Sequence, residues 1–300
     1  MERWRILLAL AVLVILIVVG GLTVSGGRSG PSYNGRSLAS WLEDFGPRPI
    51  GGGLIHDKLS NARRQPRRGL PGIAIRAMGT NAINPLLLQI KRNDDPSWLA
   101  SVKTALSKQR FLNLWLRDPQ TLREQAAMAF YELGPAGISV QSELATLLTN
   151  YSSAACAAHA LAGMGPSAIP AFVAALTNSS TWISDCGVWG LAQIGTESRS
   201  AVPQILALLQ KGNTADMRLT LWALGEIHEP GEVICPELVR LLGYSDPIVR
   251  NSAAEALQKF GADAKPTLNE IKAALETETD PKVRGTLQEL IEQVERDGKK

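Results

Sequence analysis

The sequence predicts an all-α chain: a right-handed α-solenoid of about six helix pairs, set behind an N-terminal transmembrane or signal-anchor helix. Three observations predict it. A short apolar ending recurs six times, mostly at intervals of 30 to 33 residues. Each recurrence is followed by a proline or its equivalent, then by a second apolar helical run. Residues 6–27 form one uncharged stretch ahead of all the repeats. The 300 residues are 45% hydrophobic and 20% charged, which excludes wholesale disorder. A net charge of +3, from 31 basic and 28 acidic residues, gives no whole-chain case for nucleic-acid binding. Three cysteines in a chain of this length exclude a disulfide scaffold.

The first element is the uncharged stretch. Arg3 and Arg5 precede it, and Ile6–Val19 is entirely aliphatic. Its 22 residues would span roughly 33 Å as a helix, enough to cross a bilayer. A retained anchor fits its length better than a cleaved signal, although Ser25, Gly26 and Gly27 leave cleavage open. The basic residues ahead of it place the N-terminus inside and the solenoid outside the cytoplasm, periplasmic or at the cell surface. Arg28, Arg36 and Arg48 weaken that asymmetry. Cleavage would make the protein secreted.

A linker, residues 28–70, comes next. Ser37 is a plausible N-cap for a short helix in which Leu38, Trp41, Leu42 and Phe45 share one face. Trp41 reads as core. Gly46 to Gly72 is rich in Gly, Pro and Arg and reads as a loop. Its basic cluster, Arg63, Arg64, Arg67 and Arg68, suits anionic lipid headgroups, with a solvated charge run as the other reading.

The repeats occupy residues 71–297, with an insertion at about 97–120. The endings close at Gly79, Gly134, Gly165, Gly195, His228 and Gly261. Their common form is small, apolar, two variable positions, apolar, Gly. The terminal glycine suits a left-handed C′ conformation after a first helix, A. Pro85, Pro170, Pro203, Pro236 and Pro266, with Gln141 in the remaining repeat, then suit the first turn of a second helix, B. His228 replaces the glycine, and histidine tolerates positive φ better than most residues. It reads first as a turn oddity, and only then as a ligand. The first spacing, 55 residues, holds the insertion, with Trp98, Phe111 and Trp115 among its apolar residues. Pro281 to Arg296 reads as a charged terminal helix capping the stack.

Asp246-Pro247-Ile248-Val249-Arg250 followed by Ala253-Ala254-Glu255-Ala256-Leu257, ending at Gly261, resembles helix A of the HEAT-repeat family, as found in exported or membrane-anchored bacterial proteins. Asp280-Pro281-Lys282-Val283-Arg284 starts the same pattern again. The resemblance covers residues 71–297, and the run Tyr33 to Leu42 is similar, more weakly, to an opening seen ahead of such repeats. It implies a solenoid that binds protein, and names no partner.

Little in the chain carries catalytic chemistry. The three histidines, His56, His159 and His228, form no metal-ligand spacing, and no Cys-x-x-Cys or Gly-x-Ser-x-Gly occurs. Glu270, Glu276, Glu278 and Asp280 read as solvated surface. Cys156 and Cys186 occupy equivalent sites in neighbouring repeats, too far apart on stacked helices for a disulfide. Six residues before each ending stand Met128, His159, Trp189, Trp222 and Glu255, opposite the apolar face of helix A. His159, Trp189 and Trp222 would then line up across three adjacent outer helices. They form either an exposed partner-binding patch or a surface covered by the insertion or a loop. The expected function is a non-catalytic, membrane-tethered protein–protein interaction scaffold with no cofactor, metal, nucleic acid or evident small-molecule substrate. Its partners are a protein and, through the N-terminal helix, the membrane. The alternatives are an enzyme subunit or lyase-like HEAT protein, and a lipid- or polysaccharide-binding solenoid.

Overall fold

The computed structural model describes residues 30–45, 69–94, 96–97, 101, 119–210, 214–228 and 230–297. The apolar stretch 6–27 lies outside them, as do Arg63, Arg64, Arg67 and Arg68 and all of the insertion but Ser97, Ser101, Pro119 and Gln120. No helix among the described residues is long and apolar enough to cross a membrane.

The described chain opens with a tight hairpin that the periodicity did not announce. Strands β1 (Ser32–Tyr33) and β2 (Arg36–Ser37) pair antiparallel around Asn34 and Gly35, whose φ values are +49° and +74°. Positive φ at both central residues is the turn that Asn-Gly favours. Helix α1 (Leu38–Glu43) follows at once. Ser37 caps it, its hydroxyl accepting from the Ser40 N–H at 3.4 Å. Leu38, Trp41, Leu42 and Phe45 are all buried. The Trp41 indole N–H donates to the Tyr33 carbonyl (3.1 Å), and the Arg36 guanidinium lies 3.9 Å over the indole ring. β1 and α1 both rest on the first solenoid helix.

Among the described residues, six A/B pairs then succeed one another. They are α2 (Leu70–Met78) with α3 (Ile83–Ile90), α4 (Pro119–Leu133) with α5 (Gln141–Leu148), and α6 (Ala154–Gly163) with α7 (Ile169–Leu176). After them come α8 (Thr181–Ile194) with α9 (Val202–Leu209), α10 (Thr214–Ile227) with α11 (Gly231–Leu241), and α12 (Pro247–Phe260) with α13 (Leu268–Thr277). The array is an α-solenoid. The last helix, α14 (Pro281–Asp297), closes it: Val283, Leu287, Leu290 and Val294 are buried on one face.

The register read from the sequence holds along the array. Gly79, Gly134, Gly165, Gly195 and Gly261 all have positive φ, and so does His228, at +60°. The conformation differs from the expected left-handed helix. ψ is −137° at Gly79, −138° at Gly195 and −117° at Gly261. That pairing of angles is the first central position of a type II′ turn. It swings the chain sharply out of helix A and into a 3₁₀ segment. These segments come in two lengths, four residues at Gly79–Ala82 and Gly165–Ala168, and seven at Gly134–Val140, Gly195–Ala201 and Gly261–Thr267. The prolines follow the expectation only in part. Pro170 and Pro203 do sit in the first turn of their helices, but Pro236 lies inside α11 and Pro266 inside a 3₁₀ segment.

The core is one row per layer. Leu86, Leu144, Phe172, Ile205, Leu238 and Ile271, one from each B helix, are fully buried. Each B helix packs closely on the A helix of the next repeat, and consecutive A helices pack directly on one another. Small residues permit this: a side chain at Gly163 would meet the Tyr131 carbonyl oxygen at 2.7 Å, so two helix backbones touch there.

A polar clamp recurs at the junction between repeats, eleven residues before the terminal residue. Arg123 donates to the Arg92 carbonyl (2.7 Å), Ser184 to that of Leu176 (3.3 Å), and Arg250 to those of Tyr244 and Ser245 (2.9 Å each). Arg284, starting α14, does the same to Leu275 (3.0 Å) and Glu278 (2.7 Å). Carbonyls at the end of a B helix have no partner within their helix, and the helix dipole favours a cation there. The Val-Arg pair read as a family mark thus has a definite structural task.

Candidate functional site

The aromatic row falls where its spacing puts it, but it is not an exposed stripe. Trp189 keeps 8% of its surface and Met128 5%, while His159 and Trp222 are half-buried and Glu255 alone is exposed. The reason is the close approach of the A helices. Side chains on what would be the outer face of a lone helix lie across their neighbours instead. The His159 ring stacks on Trp189, with centroids 5.4 Å apart and planes at 24°. It also stacks on Tyr131, at 5.0 Å and 30°. Tyr131, three residues from its repeat's end, belongs to this ladder and was not read from the sequence, because the search followed a single register. Burial, with help from the Glu132 charge, holds the Tyr131 hydroxyl above its ordinary pKa. Trp222 does not extend the stack.

The A helix α6 is thus apolar nearly all round. In α6 every residue from Ala154 to Ala162 except Ala155 and His159 is buried. Cys156 and Cys186 are free and buried in this layer. Burial pushes both thiols up to about 12, with Glu124 adding to the shift at Cys156 and Asp185 at Cys186. Cys235 is free too, and burial with the Asp263 charge raises it to about 12. Thiols held so firmly protonated are poor nucleophiles.

The acidic residues separate into two kinds. Glu270 and Glu276 are exposed, as expected of solvated surface. Glu278 is not: it is buried against Arg250, which donates to its two oxygens at 2.7 and 2.8 Å. The Thr279 and Asp280 N–H groups donate to it as well, each at 2.8 Å. The Arg250 hydrogen bonds, aided by these backbone donors, pull its pKa down to about 2 against the cost of burial. That carboxylate fastens the turn before α14 and has no proton to give at neutral pH. Among the described residues no group of three or more His, Cys, Asp or Glu is placed to hold a metal ion. His228 turns its ring towards Phe260 (5.0 Å), which fits its place in a turn.

The surface with the distinctive chemistry is the outward face of the B helices. Across α5, α7 and α9, Glu143 is the one charged side chain, and it is ion-paired with Lys91. Other exposed or half-buried residues of that face include Ser142, Thr146, Pro170, Val173, Ala174, Pro203, Gln204 and Ala207. Further along, α11 carries Glu232, Glu237 and Arg240, and α13 carries Glu270 and Lys272. The middle of the B row is therefore a strip whose single charge is paired, followed by the charged helices α11 and α13. The periodicity could have revealed it, since the sequences of α7 and α9 hold no charge at all.

Residues 202–292 match the family model of HEAT repeats. The chain is similar to the crystal structure of an engineered protein, at 23% identity, over 66% of this chain and 97% of that one, with a TM-score of 0.41. No curated protein matches the sequence significantly.

Proposed function

We propose that this HEAT-repeat chain is a non-catalytic scaffold, tethered to a membrane by residues 6–27, that binds a protein partner along the B helices. The strip over α5, α7 and α9, whose one charge is paired, carries the reading. Desolvating it upon docking costs little, because it holds no unpaired charge, and interface centres are depleted in charge for that reason. HEAT repeats commonly mediate protein–protein interaction, which agrees. The ring ladder of Tyr131, His159 and Trp189 takes a supporting part: it stiffens the A layer and leaves the B row to present the partner-binding surface. The apolar run with Arg3 and Arg5 ahead of it supports an extracytoplasmic solenoid, and Arg63, Arg64, Arg67 and Arg68 suit contact with anionic headgroups.

The test is photo-crosslinking in intact cells. A photoreactive residue at Ala174 or Ala207 yields one discrete adduct with a partner protein, and the same residue at Glu289 on α14 yields none. Adducts as frequent from Glu289 as from the B row would overturn the reading.

A further inference from the structure

The geometry points to a membrane-resting foot on the first repeat: the exposed edge of α2, Leu70 and Ile73, seats at the lipid headgroup boundary. This deepens the tether reading and rests on it. Eight large apolar side chains are exposed among the described residues, and three belong to the first A/B pair: Leu70 (70%), Ile73 (45%) and Leu88 (71%). Leu70 and Ile73 stand three residues apart on α2 and so share a face. The opposite end of the array shows the contrast. There α14 buries its apolar residues inwards and turns Glu, Gln and Lys outwards, as a solvent-facing cap does.

The covalent leash decides what lies against the foot. The uncharged run ends at Gly27, and β1 begins at Ser32. The four residues between reach at most about 14 Å. β1 and α1 both pack on α2, so a leash this short brings the first repeat close to the bilayer. Arg92, exposed just after α3, adds positive charge on the same repeat, where Lys91 is already paired with Glu143. Apolar side chains with neighbouring cations are what a surface-seated helix offers to anionic lipid.

The test uses the full chain reconstituted into vesicles of phosphatidylcholine with phosphatidylglycerol. Leu70→Cys, Ile73→Cys and, as a distant control, Ile248→Cys are labelled with an environment-sensitive fluorophore. The three native thiols are buried, and the unsubstituted chain provides the labelling blank. Lipids brominated near the glycerol end of their acyl chains are expected to quench the labels at 70 and 73 at least about two-fold more than the label at 248, as shallow insertion requires. An alkaline wash of the same vesicles checks the anchor separately. Equal quenching at all three positions, with the chain retained through the wash, overturns the foot and leaves the tether standing. Release of the chain by the wash overturns both.

Discussion

Gly190 is the most exacting test of the packing. It lies in α8 at the small position of the recurring ending, where the other complete A helices carry Ala129, Ala160, Ala223 and Ala256. An alanine here would set its Cβ 2.5 Å from Cδ1 of Phe172, and closer still to Cε1 and Cζ. Carbon atoms at rest sit about 3.5–4.0 Å apart, so the ring would have to move by more than 1 Å. It has nowhere to go, being fully buried on α7 with Gly187 beneath its own backbone carbonyl. Overpacking of this kind costs about 1–3 kcal/mol. Replacing a helical glycine by alanine gains up to about 1 kcal/mol in propensity. Gly190→Ala should therefore lose about 1–2 kcal/mol, read as a lower urea midpoint by far-UV circular dichroism. Gly285→Ala in α14, where nothing lies within 4 Å of the new Cβ, should raise the midpoint instead. Phe172→Leu in the Gly190→Ala background should cost less than it does alone, because the two sites share one volume. A rise for Gly190→Ala equal to that for Gly285→Ala would refute the account of how the B row seats on the A row.

Three further outcomes follow from the geometry. His228→Val should destabilise by about 1–2 kcal/mol, because a β-branched residue does not tolerate a φ of +60°, whereas His228→Gly should hold stability level or raise it; thermal melts distinguish them. The carboxyl of Glu278 is depressed from 4.5 to about 2 in the fold, so its contribution is whole above about pH 4.5 and is lost as the pH falls towards 2. Glu278→Gln should accordingly be less stable than the parent at pH 7, with the gap closing between pH 4.5 and 2; a gap independent of pH would count against the Arg250 pairing. Cys156, Cys186 and Cys235 should resist a thiol reagent at pH 8 in the folded chain and react together upon denaturation, as counted by mass spectrometry.

The array was legible because each repeat restates the same steric demand. A chain leaving helix A must take positive φ, and only glycine does so freely, so Gly79, Gly134, Gly165, Gly195 and Gly261 mark the turns in the sequence itself. His228 was legible as an exception for the same reason. The aromatic row stayed open between an exposed and a covered surface because periodicity describes a helix with one buried side. A helix between two neighbours, narrowed by Gly163 and by the alanines of α6, buries its flanks too. Glu278 was placed with the solvated acids because its partner, Arg250, stands 28 residues away. The recurrence of arginine in the first turn of α12 and of α14, Arg250 and Arg284, was the available hint. The hairpin at residues 32–37 is shorter than any periodic pattern, and only Asn34-Gly35 announces it. The B-row strip is a feature of absence, and a motif search finds what is present.

Units that fit their neighbours so well have no inherent reason to stop. The helix from Pro281 to Asp297 is different: it packs on the sixth described pair with Val283, Leu287, Leu290 and Val294 and turns charged side chains the other way. A repeat spliced in ahead of Pro281 would therefore meet the apolar face of this helix, whereas one laid on its other side would meet Lys282, Glu289 and Glu292.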